Sequence, residues 1–221
     1  MSPAGTIVPA TEAGIRLVAE VIAHGEPAII PTDTVYGVAA LPTADGARSL
    51  FEAKGRPESR AIPLLLSGLA VLPAVVSEWP PVAQSLADAF WPGALTIVVP
   101  AALTVPSEIT GGEATVGVRI PSSDIARAVI RRACGCLAVT SANRSGDPPA
   151  ATAAAALAAL DPRVRYALDG GLLAQGVPST VLQVARERVT VLRKGAICPS
   201  AIRAALEQRL PGIQIALVMD E

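Results

Sequence analysis

A single histidine, His24, stands in a chain of 221 residues, beside two lysines and three cysteines. One imidazole gives no basis for a His-based zinc site, and Cys/His or Ser/His/Asp catalysis has little to draw on. His24 precedes Gly25 where a helix should end, a place at which the helix dipole favours a cation. Cys134, Cys136 and Cys198 are odd in number and show no C-x-x-C spacing. That speaks against a disulfide framework and fits a reduced compartment. Missing too is any run of the roughly 18–20 uncharged apolar residues that a membrane-spanning helix needs. Residues 1–11 lack the basic and apolar regions of a secretory leader, so a cytoplasmic protein with no membrane partner is expected. Neither G-x-x-x-x-G-K-[ST] nor G-x-G-x-x-G occurs, so the P-loop and the dinucleotide-binding turn lose their sequence support. Carboxylate pairs at metal-ligand spacing are absent. A net charge of −1 argues against a general nucleic-acid binder held by phosphate neutralisation.

What is abundant is apolar. Hydrophobic residues make up 51% of the chain, enough for a sizeable core, and the length suits one generous domain or two small ones. Thr11 reads as an N-cap, followed by an apolar helical face through Ile15, Val18 and Ile22 up to Gly25. Residues 28–30 form a short buried strand stopped by Pro31. Further helices are predicted from Thr43 to Lys54, over 81–90, from a Ser123 cap to about Ala133, over 152–160 and over 200–210. Further strands are predicted at 62–66, 95–99, 115–120, 137–139, 164–168, 180–184 and 189–192. No repeat and no linker divides the chain. The expectation is one α/β domain over 1–221, with a twisted mixed β-sheet and flanking helices, because several strands follow one another without a helix.

Polar residues interrupt this pattern in five places, mostly just beyond strand ends, where open α/β sheets build ligand sites. Residues 31–37 (PTDTVYG) offer Thr32, Thr34 and Tyr36 to a small polar substrate, or make an ordinary turn. Lys54-Gly55-Arg56-Pro57 sets two cations around a glycine, which suits an anion such as a triphosphate. The same cations would equally complement a helix C-terminus. Both lysines of this arginine-dominated chain, Lys54 and Lys194, sit beside Gly and Arg. Arg119 follows the register of Thr115 and Gly117 and could clamp a carboxylate, or pair structurally with Glu113 or Asp124. Residues 140–146 (TSANRSG) bring a dense set of donors suited to phosphate or base recognition, or form a solvated loop. The fifth place joins Pro178-Ser179-Thr180 to Arg193-Lys194-Gly195. Cations and hydroxyls without evident general bases suit chemistry driven by positioning and charge stabilisation.

Taken together, PTDTVYG (31–37), KGRP (54–57), WPGALTIVV (91–99), TVGVRIPS (115–122), TSANRSG (140–146), PSTVLQV (178–184) and VLRKGAI (191–197) resemble the ordered motifs of the YrdC-domain family, over residues 12–198. The resemblance implies the YrdC/RibB-like fold and the activity of the family's L-threonylcarbamoyladenylate synthases. These join L-threonine, bicarbonate and ATP, with Mg²⁺ on the phosphates, and release pyrophosphate. A threonylcarbamoyl transferase complex then uses the product, so tRNA is an indirect partner. Carried over position by position, the resemblance implies threonine contacts at Thr32, Arg119 and Ser179, with Thr34 and Tyr36 shaping that pocket. It implies triphosphate contacts at Lys54 and Arg56, the pair expected to be catalytic. ATP contacts would also fall at Thr115, Ser141, Asn143 and Arg193. Asp33 stands where Glu is frequent, Pro178 where an acidic residue is, Lys194 where proline is, and Ser67 where histidine is. A paralogue making another carbamoyl adenylate, and a non-catalytic RNA-binding module, are the other readings this pattern admits.

Overall fold

Short apolar runs bounded by proline, glycine and capping hydroxyls set the secondary structure of the computed structural model, which describes residues 5–55, 60–173, 176–186, 188–210 and 216–219. The strands are β1 (Thr6–Pro9), β2 (Ala28–Pro31), β3 (Tyr36–Ala40), β4 (Leu64–Leu66), β5 (Leu95–Pro100), β6 (Thr115–Arg119), β7 (Cys136–Ser141), β8 (Tyr166–Asp169), β9 (Thr180–Ala185), β10 (Arg188–Arg193) and β11 (Ala216–Met219). The helices are α1 (Glu12–Ala23), α2 (Ala44–Lys54), α3 (Leu72–Val75), α4 (Pro81–Phe90), α5 (Ser107–Thr110), α6 (Asp124–Ala133), α7 (Ala153–Ala159) and α8 (Pro199–Arg209). Thr11, Thr43, Ser123 and Thr152 cap α1, α2, α6 and α7 through their hydroxyls, each satisfying a backbone N–H that the helix leaves open. None of these helices is long and apolar enough to cross a membrane.

All the strands join one sheet in the order β1-β8-β2-β3-β7-β4-β6-β5-β9-β10-β11. Parallel and antiparallel neighbours are mixed along it: β2 runs parallel to β8 but antiparallel to β3, and β5 runs parallel to β9 but antiparallel to β6. The expected mixed α/β sheet is what forms. Side chains divide between its faces with period two. Ile29, Val38, Leu64 and Ala138 join the core beneath α2, α4, α7 and α8, whereas Ile30, Ala39, Leu65 and Leu137 join a second core with α1 and α6.

The sequence reading missed β3, because Tyr-Gly-Val-Ala-Ala is buried on both faces and so has no alternation to read. It also missed β1 and β11. The strand expected at 62–66 is shorter, and β7 continues to Ser141, into residues expected to be loop. His24 ends α1 as expected, its Nδ1 donating to Glu20 O.

Among the described residues, the helical cover on the α1–α6 face is incomplete. Leu95, Ile97, Val116, Val118, Leu182 and Val184 are buried in the opposite core. Their alternates Val98, Gly117, Val181 and Gln183 belong to neither core and are half-buried. On this uncovered part, beside the ends of β3, β4, β6 and β7, the sheet surface is open to a ligand.

Candidate active site

The uncovered surface holds a cavity of about 450 Å³, within the range of about 300–1,000 Å³ typical of small-molecule sites. Its floor is sheet, with Gly37, Leu65, Thr96 and Val139 facing up. Glycine there is a matter of room: a Cβ at Gly37 would lie 2.6 Å from Val139 Cγ1.

One wall grows from the β2–β3 hairpin and the end of β6. The Thr32 hydroxyl donates to Val35 O (2.6 Å), accepts from the Thr34 and Val35 backbone N–H groups (3.2 Å each) and meets Thr34 Oγ1 at 3.1 Å. A hydroxyl has one donor and two acceptor sites, so Thr32 is fully engaged in shaping the turn. Arg119, 4% exposed, donates from Nε to Gly93 O (2.8 Å), from Nη1 to Thr34 Oγ1 (3.1 Å) and from Nη2 to Asp33 Oδ1 (2.5 Å). Its ion-pair partner is therefore Asp33, not Glu113 or Asp124; the latter binds Arg127. Sequence proximity misled that expectation, because the sheet brings together residues 86 apart. Burial lowers the Arg119 pKa, and Asp33 opposes that shift.

A second wall joins β5, β9 and β10. Ser179 Oγ and Thr96 Oγ1 are 2.8 Å apart, both buried. Arg193 clamps Ser179, donating to its carbonyl from Nε (3.2 Å) and Nη2 (2.9 Å) and to its hydroxyl from Nη2 (3.1 Å). Desolvation lowers the Arg193 pKa, and the nearby charge of Arg119 adds to the effect. Two guanidinium groups that repel each other across a cavity define a place for an anion. Gly195 allows this corner to close, since a Cβ there would lie 2.4 Å from Pro178 O.

The third wall is the segment that follows β7. Lys54, the last residue of α2, is 5% exposed. Its Nζ donates to Ser141 O (2.5 Å), Asn143 O (2.6 Å) and Ser141 Oγ (3.4 Å). The Asn143 side-chain nitrogen donates to Arg144 O (2.8 Å) and Asp147 O (2.7 Å), while its Oδ1 is buried with no hydrogen-bond partner. Ser141, Asn143 and Asp147 all line the cavity.

Of the residues singled out from sequence, Thr32, Thr34, Arg119, Ser141, Asn143, Ser179 and Arg193 line this one cavity. Tyr36 does not. Strand alternation turns it to the opposite face, where its hydroxyl donates to Gly171 O (2.7 Å) and accepts from Gly170 N (3.1 Å). Thr115 sits at the start of β6, paired with Pro100. It is four residues from Arg119, or about 13 Å at the usual strand rise, and lies outside the cavity lining. Lys54, expected at the triphosphate, is turned to loop carbonyls instead. Arg56 lies outside the described residues. Ser67 lines a separate depression beside Leu69, Trp91 and Arg127, so its departure from the family pattern does not touch the cavity. The sequence reading missed Thr96, Arg60 and Asp147 as lining residues. Thr96 had a signal, a hydroxyl inside an apolar strand. Among the described residues, no three His, Cys, Asp or Glu side chains gather as a metal-ligand set.

Cations, hydroxyls and an amide from several separate segments, converging at strand ends of a mixed sheet, define an α/β protein with a cavity suited to an anionic small molecule. Residues 20–195 match the Sua5/YciO/YrdC family model, described as telomere recombination, and the chain belongs to that family. It is 36% identical over 184 residues to the threonylcarbamoyl-AMP synthase of Pyrococcus abyssi, covering 83% of this chain and 54% of that protein. It is 34% identical over 194 residues to the synthase of Bacillus subtilis, covering 87% of this chain and 56% of that protein. The crystal structure of P. abyssi Sua5 complexed with L-threonine superimposes with a TM-score of 0.87 at 33% identity, covering 96% of this chain and 62% of that one. The chain thus spans about half the length of the curated relatives it matches.

Proposed function

We propose that this chain forms threonylcarbamoyl-AMP and pyrophosphate from ATP, L-threonine and bicarbonate in the cytoplasm, and that a threonylcarbamoyl transferase complex delivers the product to tRNA. The observation that carries the reading is the meeting of Arg119, Arg193, Ser179 and Ser141 in one cavity, from segments far apart in sequence. The names of its relatives agree with it.

Every reactant is anionic or becomes so when threonine's amine and bicarbonate give a carbamate and water. Arg119 has five N–H groups, and protein acceptors take three of them, which leaves two for the threonine carboxylate. Ser179, held by Thr96 and Arg193, faces the amino acid. The Arg193 Nη1 and the exposed Arg60 at the rim are turned over to phosphate oxygens. The carbamate oxygen is itself the nucleophile at the α-phosphorus, so the residues have to position and neutralise rather than remove a proton. The oxygen donors on the third wall fit Mg²⁺ bound to the nucleotide, with Asn143 Oδ1 unpartnered and Asp147 bringing a carboxylate. Asn143 and Asp147 would hold such an ion, and when bound it would supply Lewis-acid stabilisation of the phosphates.

The test is pyrophosphate release by the purified chain with ATP, Mg²⁺, bicarbonate and threonine, omitting each in turn. Release that requires all four is expected. Release without threonine, or with carbamoyl phosphate replacing threonine and bicarbonate, would move the assignment to another carbamoyl adenylate.

A further inference from the structure

A lysine ammonium has three N–H donors and accepts nothing. At Lys54 each donor has a protein acceptor: the Ser141 carbonyl, the Asn143 carbonyl and, at longer range, the Ser141 hydroxyl. Its place is fixed from behind. Lys54 ends α2 because Gly55 follows in the left-handed conformation (φ 60°), which glycine adopts at little cost. The segment it grips is fixed from the other side by Ala142 N, which donates to Tyr36 O (2.8 Å). Asn143 then has one orientation open to it. Its side-chain nitrogen faces two carbonyl acceptors, so Oδ1 must be the buried atom without a partner.

The geometry points to Lys54 as a positioning residue, one that acts on a bound nucleotide through Ser141 and Asn143 and does not itself touch phosphate. The nucleotide as ligand rests on the function proposed above; the clamp itself rests on the hydrogen bonds just described. A buried ammonium is suited to this task. It is compact and offers its donors in three directions to backbone carbonyls, which a planar guanidinium cannot reproduce.

The test uses Lys54→Met and Lys54→Arg, each in the natural chain and in a Ser141→Ala/Asn143→Ala background. That background keeps both backbone carbonyls and removes only the side chains they carry. ATP affinity by calorimetry should fall about tenfold or more for both Lys54 variants in the natural chain, and change less than about twofold in the alanine background. Equal losses in both backgrounds, or recovery of affinity in Lys54→Arg, would show direct phosphate contact and overturn the inference. Hydrogen exchange without ligand gives an independent reading. The amide of Ala142 should exchange faster in Lys54→Met, and unchanged protection overturns the clamp. If the natural chain binds no ATP, the proposed function fails, while the exchange result still decides the role of Lys54.

Discussion

The Arg119 wall and the Asn143 wall of the cavity are built to opposite rules. Around Arg119, charge and hydroxyl groups close on one another: Thr32 is fully engaged, Thr34 bridges to the guanidinium, and Asp33 neutralises it. Around Asn143 the backbone is held just as firmly, yet one buried acceptor is left open. An unsatisfied buried polar atom costs about 1–3 kcal/mol. The first wall therefore holds its own shape through internal pairing, whereas the second keeps one acceptor unsatisfied.

Replacement of Arg119 by methionine should give the largest effect. It leaves Asp33 nearly buried without its cation, which costs about 3–5 kcal/mol for a broken buried pair and should show in denaturant unfolding together with loss of threonine binding. A loss below about 1 kcal/mol would mean that the wall is not closed in solution. Next comes Gly195→Ala, whose Cβ has no space beside Pro178 O. Overpacking there should cost about 1–3 kcal/mol and raise the KM for threonine by displacing Ser179. Thr96→Val removes one hydroxyl from the pair with Ser179. About 0.5–1.5 kcal/mol of stability is expected to go, read from the thermal midpoint. Asn143→Ala should disturb the empty protein least, by no more than about 1 kcal/mol, because the lost amide bonds are offset by removal of the orphan acceptor. Its nucleotide affinity should nonetheless fall about tenfold, and a variant that binds ATP as well as the natural chain would erase the contrast between the walls.

How much of this was legible in the sequence follows from the same contrast. Alternating strands such as 115–119 and capped helices such as α1 could be read from period and cap. Tyr-Gly-Val-Ala-Ala could not, because a strand buried on both faces carries no period. The clusters holding Arg119, Ser141 and Ser179 were visible as polar breaks after apolar runs, and they do meet. Their roles were harder to read, because a role depends on which donors and acceptors are already taken. Arg119 found its counter-ion across the sheet and not among its neighbours in sequence. Lys54 was singled out as a cation beside glycine, but its acceptors lie 87 and 89 residues away. Thr96 carried only a faint signal, a lone hydroxyl in an apolar run that barely changes its hydropathy.

The glycine floor has a consequence for how such a site can diverge. At Gly37 the cavity is bounded by bare main chain and by the Val139 side chain that a methyl would strike. Its calibre therefore changes in steps of one carbon, with the arginines around it left in place. A descendant that acquired alanine at Gly37, with Val139 moved aside, would keep the electrostatics and accept a slimmer guest, so the bore of the cavity is adjustable without rebuilding a wall.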